Sequence, residues 1–177
     1  IQLQNRAFPE QENWFQTNFD LIGNYLGRYF TYANDGFSSK NFTIFNAPNN
    51  WLAWPNDIVL VPTKGDFSEI EGLSEKGDLN YNWALIMRAQ AFLALTDKYG
   101  PMPFGLDPKK PEGYNTQEDI YKSLVNDLTT ASKVLKAYTL ANPGAKVHEA
   151  ADKIYGGDFT KWAKFANSLK LRIAIRM

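Results

Sequence analysis

Residues 79–101 read LNYNWALIMRAQAFLALTDKYGP, and this stretch decides the fold class. Its apolar residues recur at steps of three and four, which predicts an α-helix. They cover most of the circumference, so the helix should be buried. The residues concerned are Leu79, Trp83, Leu85, Ile86, Ala89, Phe92 and Leu93. Gly100 and Pro101 predict its end, because glycine accepts the left-handed conformation after a last turn and proline cannot continue a helix.

Three further segments carry the same periodicity. In residues 10–32 the apolar positions are Phe15, Phe19, Ile22, Leu26 and Tyr29. The second segment follows a predicted cap at Thr116, and its apolar positions are Ile120, Leu124, Leu128, Ala131 and Leu135. The third follows a predicted cap at Asp158, and its apolar positions are Trp162, Phe165, Leu169 and Ile173. We also expect a short helix at residues 145–155. No segment has convincing period-two alternation, so we predict an all-α architecture of antiparallel helix pairs with long irregular loops.

Residues 30–80 are rich in Asn, Gly, Pro, Ser and aromatic residues. We predict that most of this region is loop, with a short helix near residues 56–61. Because long loops in compact domains usually serve a function or are disordered, we expect the functional site here.

Residues 41–57 read NFTIFNAPNNWLAWPND, which places aromatic rings among amides. Flat rings stack on the apolar faces of sugars, while amides and carboxylates bind sugar hydroxyls. We therefore predict a glycan site with Trp51 and Trp54 as stacking platforms and with Asn49, Asn50 and Asp57 as hydroxyl partners. The alternative is that these aromatic residues attach a long loop to the helical core.

The composition excludes several classes of protein. The 177 residues carry 19 Lys plus Arg and 19 Asp plus Glu, so a nucleic-acid binder that neutralises phosphates is not expected. There is no cysteine and one histidine, which excludes a Cys/His zinc site and a cysteine nucleophile. We expect no cofactor, no metal and no catalytic residues. No window is apolar for the roughly 20 residues that a membrane-spanning helix needs.

Two acidic motifs have ordinary explanations. Residues 148–152 read HEAAD, where Asp152 replaces the second histidine of the zinc-protease pattern, and we interpret them as a solvated helix start. Asp66, Glu69 and Glu71 could supply a pair of carboxylates for glycoside hydrolysis, but acids in the first turn of a helix explain them.

Three blocks of sequence, in order and in register, resemble the SusD/RagB family of outer-membrane lipoproteins. They are WALIMRAQAFLALTDKYGPMPF from residue 83, YNTQEDIYKSLVNDLTTASKVL from residue 114, and IYGGDFTKWAKFANSLKLRIAIRM from residue 154. The resemblance implies helix pairs of tetratricopeptide-like type. It also implies a surface-exposed outer-membrane lipoprotein that binds nutrient oligosaccharides without catalysis and works with a SusC-like TonB-dependent transporter.

Family members are longer and carry a lipidated N-terminal cysteine that this chain lacks. We therefore expect residues 1–177 to be the N-terminal portion of a single SusD-like domain, truncated at its C-terminus. It would comprise a first helix at 1–33, a long loop region at 34–78 and a helical-repeat scaffold at 79–177. The blocks that carry the resemblance are scaffold motifs, so they identify no ligand residue.

Two other functions stay open on sequence alone. A helical-repeat module could bind another protein through its Asn- and Trp-rich segment and take no small ligand, because stacked repeats present extended surfaces. A helical hydrolase could use Asp66 and Glu69.

Overall fold

The computed structural model describes residues 1–9, 11–33, 41–105 and 113–177, and this part of the chain is helical. Its α-helices are α1 (Gln2–Ala7), α2 (Asn49–Pro55), α3 (Val61–Leu73), α4 (Leu79–Tyr99), α5 (Gln117–Ala141) and α6 (Phe159–Arg176). Two segments wind as π-helix, Gln11–Asn24 and Asn56–Leu60, and Phe42–Ile44 forms a 3-10 turn. No strand occurs within these ranges beyond one antiparallel bridge between Met102 and Asn115. The predicted all-α class is confirmed.

Helix α4 is the centre of the core. It is buried along nearly its whole length, as its apolar circumference predicts, and it packs against α1, α3 and α5. Its one buried cation, Arg88, is 5% exposed and pairs with Asp127 on α5. The Arg88 guanidinium also lies 4.4 Å from the ring centroid of Phe67 on α3. Arg88 therefore connects three helices while its charge is compensated.

Helices α4, α5 and α6 run antiparallel in succession. At one end, the Tyr121 hydroxyl near the start of α5 donates to Asp97 near the end of α4, at 2.7 Å. The same Asp97 carboxylate pairs with Arg176 at the end of α6, at 3.2 Å. At the other end, Tyr138 of α5 faces Phe159 at the start of α6. These contacts confirm the predicted helix pairs.

Both predicted N-caps are confirmed. The Thr116 side chain accepts from the Asp119 N–H, and the Asp158 side chain accepts from the N–H groups of Thr160 and Lys161. Each cap satisfies donors that have no partner inside the helix.

The prediction of a long loop at 34–78 is wrong for much of its length. Residues 34–40 lie outside the described part of the chain, but 49–73 form α2, a π-helical turn and α3. For residues 56–73, packing against α1 and α4 supplies stabilisation that local propensity does not, and Pro62 is tolerated in the first turn of α3. The single first helix also differs, because the structure has α1 and a separate segment Gln11–Asn24.

The predicted short helix at 145–155 is wrong as well, since residues 148–157 form a series of turns around a buried Asp152. One carboxylate oxygen accepts from the Trp162 indole at 2.7 Å and the Gly157 N–H at 2.8 Å. The other accepts from the side-chain amide of Gln4 on α1 and from the N–H groups of residues 154 and 155. The solvated helix start expected at 148–152 is therefore wrong too. Five local or distant donors converge on Asp152, and a helix would direct its N–H groups elsewhere.

Hydrogen bonding outweighs burial in setting the charge of Asp152. Burial raises the pKa of this carboxyl, but the hydrogen bonds that it accepts lower the pKa by a larger amount, so the pKa lies below its ordinary value. The donors of these bonds are Trp162, Tyr155, Gly157 and Ile154. The stabilisation is present above the unfolded pKa of Asp and is lost as pH falls through the folded one.

We expect Asp152→Ala to lower the free energy of unfolding by about 3 kcal/mol or more, because it leaves several buried donors without an acceptor. Urea denaturation at pH 7 measures the change. Glu149→Ala is the control, since Glu149 is an exposed carboxylate in the same set of turns. Equal stability of the two variants would contradict the role assigned to Asp152.

Candidate functional site

The five residues predicted to bind sugar lie together on one short helical segment. Asn49 and Asn50 begin α2 and are exposed, whereas Trp51 and Trp54 are half-buried on the same helix. Because the two indoles are three positions apart, they are neighbours on the helix surface. Asp57 is exposed one turn later and accepts from the Asn56 side-chain amide at 2.9 Å. The structure thus gathers these residues on α2 and the following turn rather than on a loop.

Helix α2 depends on α4 because of a proline. Pro55 has no N–H, so the carbonyl of Trp51 four positions earlier loses its intrahelical donor. The Lys98 ammonium near the end of α4 donates to this Trp51 oxygen at 3.2 Å. The next carbonyl, of Leu52, accepts from the Tyr99 hydroxyl at 2.6 Å. Two consecutive side chains of α4 therefore bind two consecutive carbonyls of α2.

Burial of this contact changes the acidity of both α4 side chains. Desolvation lowers the pKa of Lys98 to about 7. Desolvation, with a smaller effect from the Asp57 carboxylate, raises the pKa of Tyr99 to about 12. Tyr99 therefore stays a hydrogen-bond donor at all ordinary pH values. Near pH 7, Lys98 is divided between its charged and neutral forms.

The geometry gives the indoles a fixed orientation and a partly open face. Helix α2 also packs against the segment Gln11–Asn24, so its half-buried side chains are held from two sides. A rigid aromatic surface beside amides and one carboxylate can stack against a ring and bind its hydroxyls. Of the five residues, Asp57 alone carries a carboxylate, whereas glycoside hydrolysis uses two.

A cavity of about 450 Å³ was not predicted from the sequence. It is lined by Tyr25, Leu26, Arg28, Tyr29, Phe30, Thr31, Thr43 and Phe45. The periodicity of residues 10–32 assigned Leu26 and Tyr29 to the apolar face of a helix, but both are exposed. The signal that could have found this cavity is the pair of aromatic clusters at residues 29–32 and 42–45.

A second cavity, of about 520 Å³, lies between α1, α3 and α4. Asp66 and Glu69 line it together with Trp83 and His148, whose rings stack at 6.1 Å between centroids. His148 Nε2 is 2.9 Å from Asn80 Oδ1, and Asp66 pairs with Arg6 at 3.7 Å. Within the described residues no group of three or more His, Cys, Asp or Glu side chains is placed to hold a metal ion.

The family model described as SusD-like, "Susd and RagB outer membrane lipoprotein", matches residues 1–177. The chain belongs to the SusD/RagB family. This assignment places the SusD-like chain among outer-membrane lipoproteins. The described part of the chain contains no helix that is long and apolar enough to cross a bilayer.

Solved structures agree with this assignment. A SusD homologue from Bacteroides uniformis is 34% identical with a TM-score of 0.85, and the match covers 99% of this chain and 36% of that one. A SusD homologue from Bacteroides thetaiotaomicron is 26% identical with a TM-score of 0.85, covering 99% and 35%. A chitin-binding SusD homologue from Flavobacterium johnsoniae is 24% identical with a TM-score of 0.80, covering 99% and 37%. No curated protein sequence matches the chain.

The SusD-like chain thus spans about a third of the length of these solved relatives. The likeness extends over nearly all of its own residues, so the arrangement of α1 to α6 is shared with the corresponding part of those structures. Which residues bind ligand is not decided by this likeness. The assignment of Trp51, Trp54, Asn49, Asn50 and Asp57 stays a prediction.

We expect the contact between α2 and α4 to depend on pH. The pKa of Lys98 is about 7 in the folded chain and 10.5 in its ordinary state, so between these values the unfolded chain binds more protons. The free energy of unfolding should therefore rise as pH increases from 7 towards 10.5, and change little through Lys98 below pH 7. Urea denaturation of wild type and Lys98→Met across this range measures it.

At high pH, where Lys98 is neutral in both the folded and the unfolded chain, Lys98→Met should be less stable than wild type, because the Trp51 carbonyl loses the bond from Lys98. Its dependence on pH should also be flatter than that of wild type. Parallel profiles for the two proteins would contradict the lowered pKa of Lys98.

Proposed function

We propose that this SusD-like chain is part of a surface-exposed outer-membrane lipoprotein that binds nutrient oligosaccharides without catalysis. The complete protein would deliver them to a SusC-like TonB-dependent transporter. Family membership supports the binding role, and one solved homologue of the same fold binds chitin. The lipid anchor would be supplied by an N-terminal cysteine outside residues 1–177.

The observation that carries the proposal is the fixed, partly open pair of indoles on α2. Trp51 and Trp54 are half-buried, and the helix that bears them is attached to α4 by the bonds from Lys98 and Tyr99. A platform that is already ordered loses little conformational entropy when a sugar stacks on it. Exposed Asn49, Asn50 and Asp57 supply amide and carboxylate groups for the hydroxyls around the ring.

Charge and affinity fit the same proposal. A chain with no net charge has no general attraction for nucleic acid, which supports a ligand other than a polynucleotide. Sugar hydroxyls exchange hydrogen bonds with water for hydrogen bonds with protein, so the net gain per bond is small. We therefore expect modest affinity, as suits a protein that must release its ligand to a transporter.

The test uses the full-length protein and a panel of soluble glycans that includes chitin oligosaccharides. Isothermal titration calorimetry should detect binding with no released sugar. In the variant Trp51→Ala/Trp54→Ala the affinity should fall about tenfold or more, because two stacking surfaces are lost. The matched control, Trp51→Phe/Trp54→Phe, retains flat rings and should keep most of the binding.

Three results would count against the proposal. Unchanged affinity in the double alanine variant would exclude Trp51 and Trp54 as the platform. Released sugar would indicate a hydrolase. Absence of binding to every glycan, together with co-purification of the transporter, would favour the protein-interaction module.

A further inference from the structure

We propose that the 450 Å³ cavity is a second sugar subsite, and that it accepts an anionic sugar unit through Arg28. This inference rests on the proposed function, because it assumes that the protein binds glycans. It concerns residues other than those predicted on α2. Its stacking surfaces would be Tyr29 and Phe45, which line the cavity together with Arg28.

Two large exposed rings line the cavity. Tyr29 is 81% exposed and Phe45 is 87% exposed, although both line the same concave surface. Aromatic side chains contribute large apolar area when buried, so a protein gains stability by covering them. Rings left open in a cavity of ligand size are what a binding site requires.

Hydrogen bonds close the backbone of both segments that line the cavity. On one side, the N–H groups of Tyr29 and Phe30 both donate to the Asn24 carbonyl, at 2.9 and 3.1 Å. On the other side, the Asn46 N–H donates to the carbonyl of buried Asn41 at 3.1 Å. The rings are therefore held on two closed turns, and their exposure does not come from a frayed helix end.

Both of these segments also contain a strained backbone residue. Arg28 has a φ of 60° and Phe45 a φ of 56°, and both are residues for which the left-handed region is unfavourable. Strained backbone of this kind persists where the surrounding structure imposes it, and it is concentrated at functional sites. Here both strained residues line one cavity.

Gly27 adds a steric condition to the same turn. A Cβ at this position would lie 3.0 Å from the Tyr29 ring and 2.9 Å from the Gly23 carbonyl oxygen. The absence of a side chain at Gly27 lets the Tyr29 ring lie against the backbone. The orientation of this stacking surface therefore depends on glycine next to the strained arginine.

The lining chemistry selects the ligand class. Among the described residues, Arg28 is the one charged residue that lines the cavity, and no carboxylate in this part of the chain pairs with it. Thr31, Thr43 and the phenol of Tyr25 add hydroxyl groups. A guanidinium binds a carboxylate or a sulfate with two parallel hydrogen bonds, which a neutral sugar cannot match. A sugar unit that carries a carboxylate or sulfate ester satisfies the ring faces, the hydroxyls and the cation together.

The cavity is also close to the platform on α2. Phe45 precedes Asn49 by four residues, so their Cα atoms are at most about 14 Å apart. One oligosaccharide could therefore occupy both places, with its anionic unit at Arg28 and a neighbouring unit on the indoles. Linked contacts of this kind raise affinity above that of either place alone.

Calorimetry on the full-length protein tests the inference with an oligogalacturonate, its carboxyl-reduced neutral counterpart and a sulfated oligosaccharide. Wild type should bind at least one anionic glycan about tenfold more tightly than the neutral one, and the preference should weaken as salt is raised. Whichever of the two anionic glycans binds more tightly shows whether the subsite prefers a carboxylate or a sulfate ester. Equal affinity for all three would overturn the anionic subsite.

The strain supplies variants that should remain folded. Arg28→Gly and Phe45→Gly each put glycine where φ is positive, so thermal unfolding should shift by no more than a few degrees. Arg28→Gly should abolish the preference for anionic over neutral glycans. Phe45→Gly should weaken both kinds of glycan about tenfold. Arg28→Lys should recover part of the preference, because it restores charge without the two parallel bonds.

The outcomes separate the two proposals. One outcome would overturn the second subsite alone. In it, wild type binds glycans and Trp51→Ala/Trp54→Ala weakens this binding, but Arg28→Gly and Phe45→Gly bind glycans as tightly as wild type. Absence of wild-type binding to any glycan would overturn the proposed function and this inference with it. Intact glycan binding but lost co-purification of the transporter in Phe45→Gly would make the cavity a protein-docking surface, which also overturns the inference.

Discussion

The arrangement of the helices depends on the hydrogen bonds that the buried carboxylate of Asp152 accepts. It accepts from α1 through Gln4, from its own turn through three N–H groups, and from α6 through Trp162. One side chain therefore sets the position of the first helix, the path of residues 148–157 and the start of the last helix. Since hydrogen bonds to a buried charge are strong, the contacts from α1 and α6 both stabilise this turn.

Close packing in the same turn restricts position 157 to glycine. Its φ is 75°, and a Cβ there would lie 2.7 Å from the carbonyl oxygen of Val147. Glycine is required on both counts, because other residues disfavour this conformation and because no space exists for a side chain. The GGD sequence at 156–158 thus combines a tight approach of the backbone with the cap that begins α6.

The proposed binding surfaces differ from this core in what stabilises them. Helix α2 is short, contains Pro55 and is secured by two side chains of α4, whereas the cavity around Tyr29 and Phe45 is secured by turns with strained residues. Both surfaces present aromatic rings on backbone that is ordered before any ligand arrives. Such preorganisation suits a binder, which gains affinity from it without needing a catalytic group.

Much of the fold could be predicted because periodicity and capping are local. The stripes of α4, α5 and α6, the caps at Thr116 and Asp158 and the glycine after α4 all follow from residues within a few positions of each other. Family membership was also accessible, because three scaffold blocks occur in register. These features depend on short-range geometry that any chain of this sequence must obey.

The tertiary structure decided what distant residues do together. Residues 56–73 are helical although their Asn, Pro and Gly residues favour loop, because they pack against α1 and α4. The donors to the buried carboxylate of Asp152 come from three separate elements of the fold. Sequence spacing carries no information about such convergence. The sequence by itself determined the helical class, the helix ends of the scaffold and the aromatic content near α2. The folded chain alone decided which of those aromatic residues are open and which cation stands beside them, because exposure and pairing depend on contacts between residues far apart in sequence.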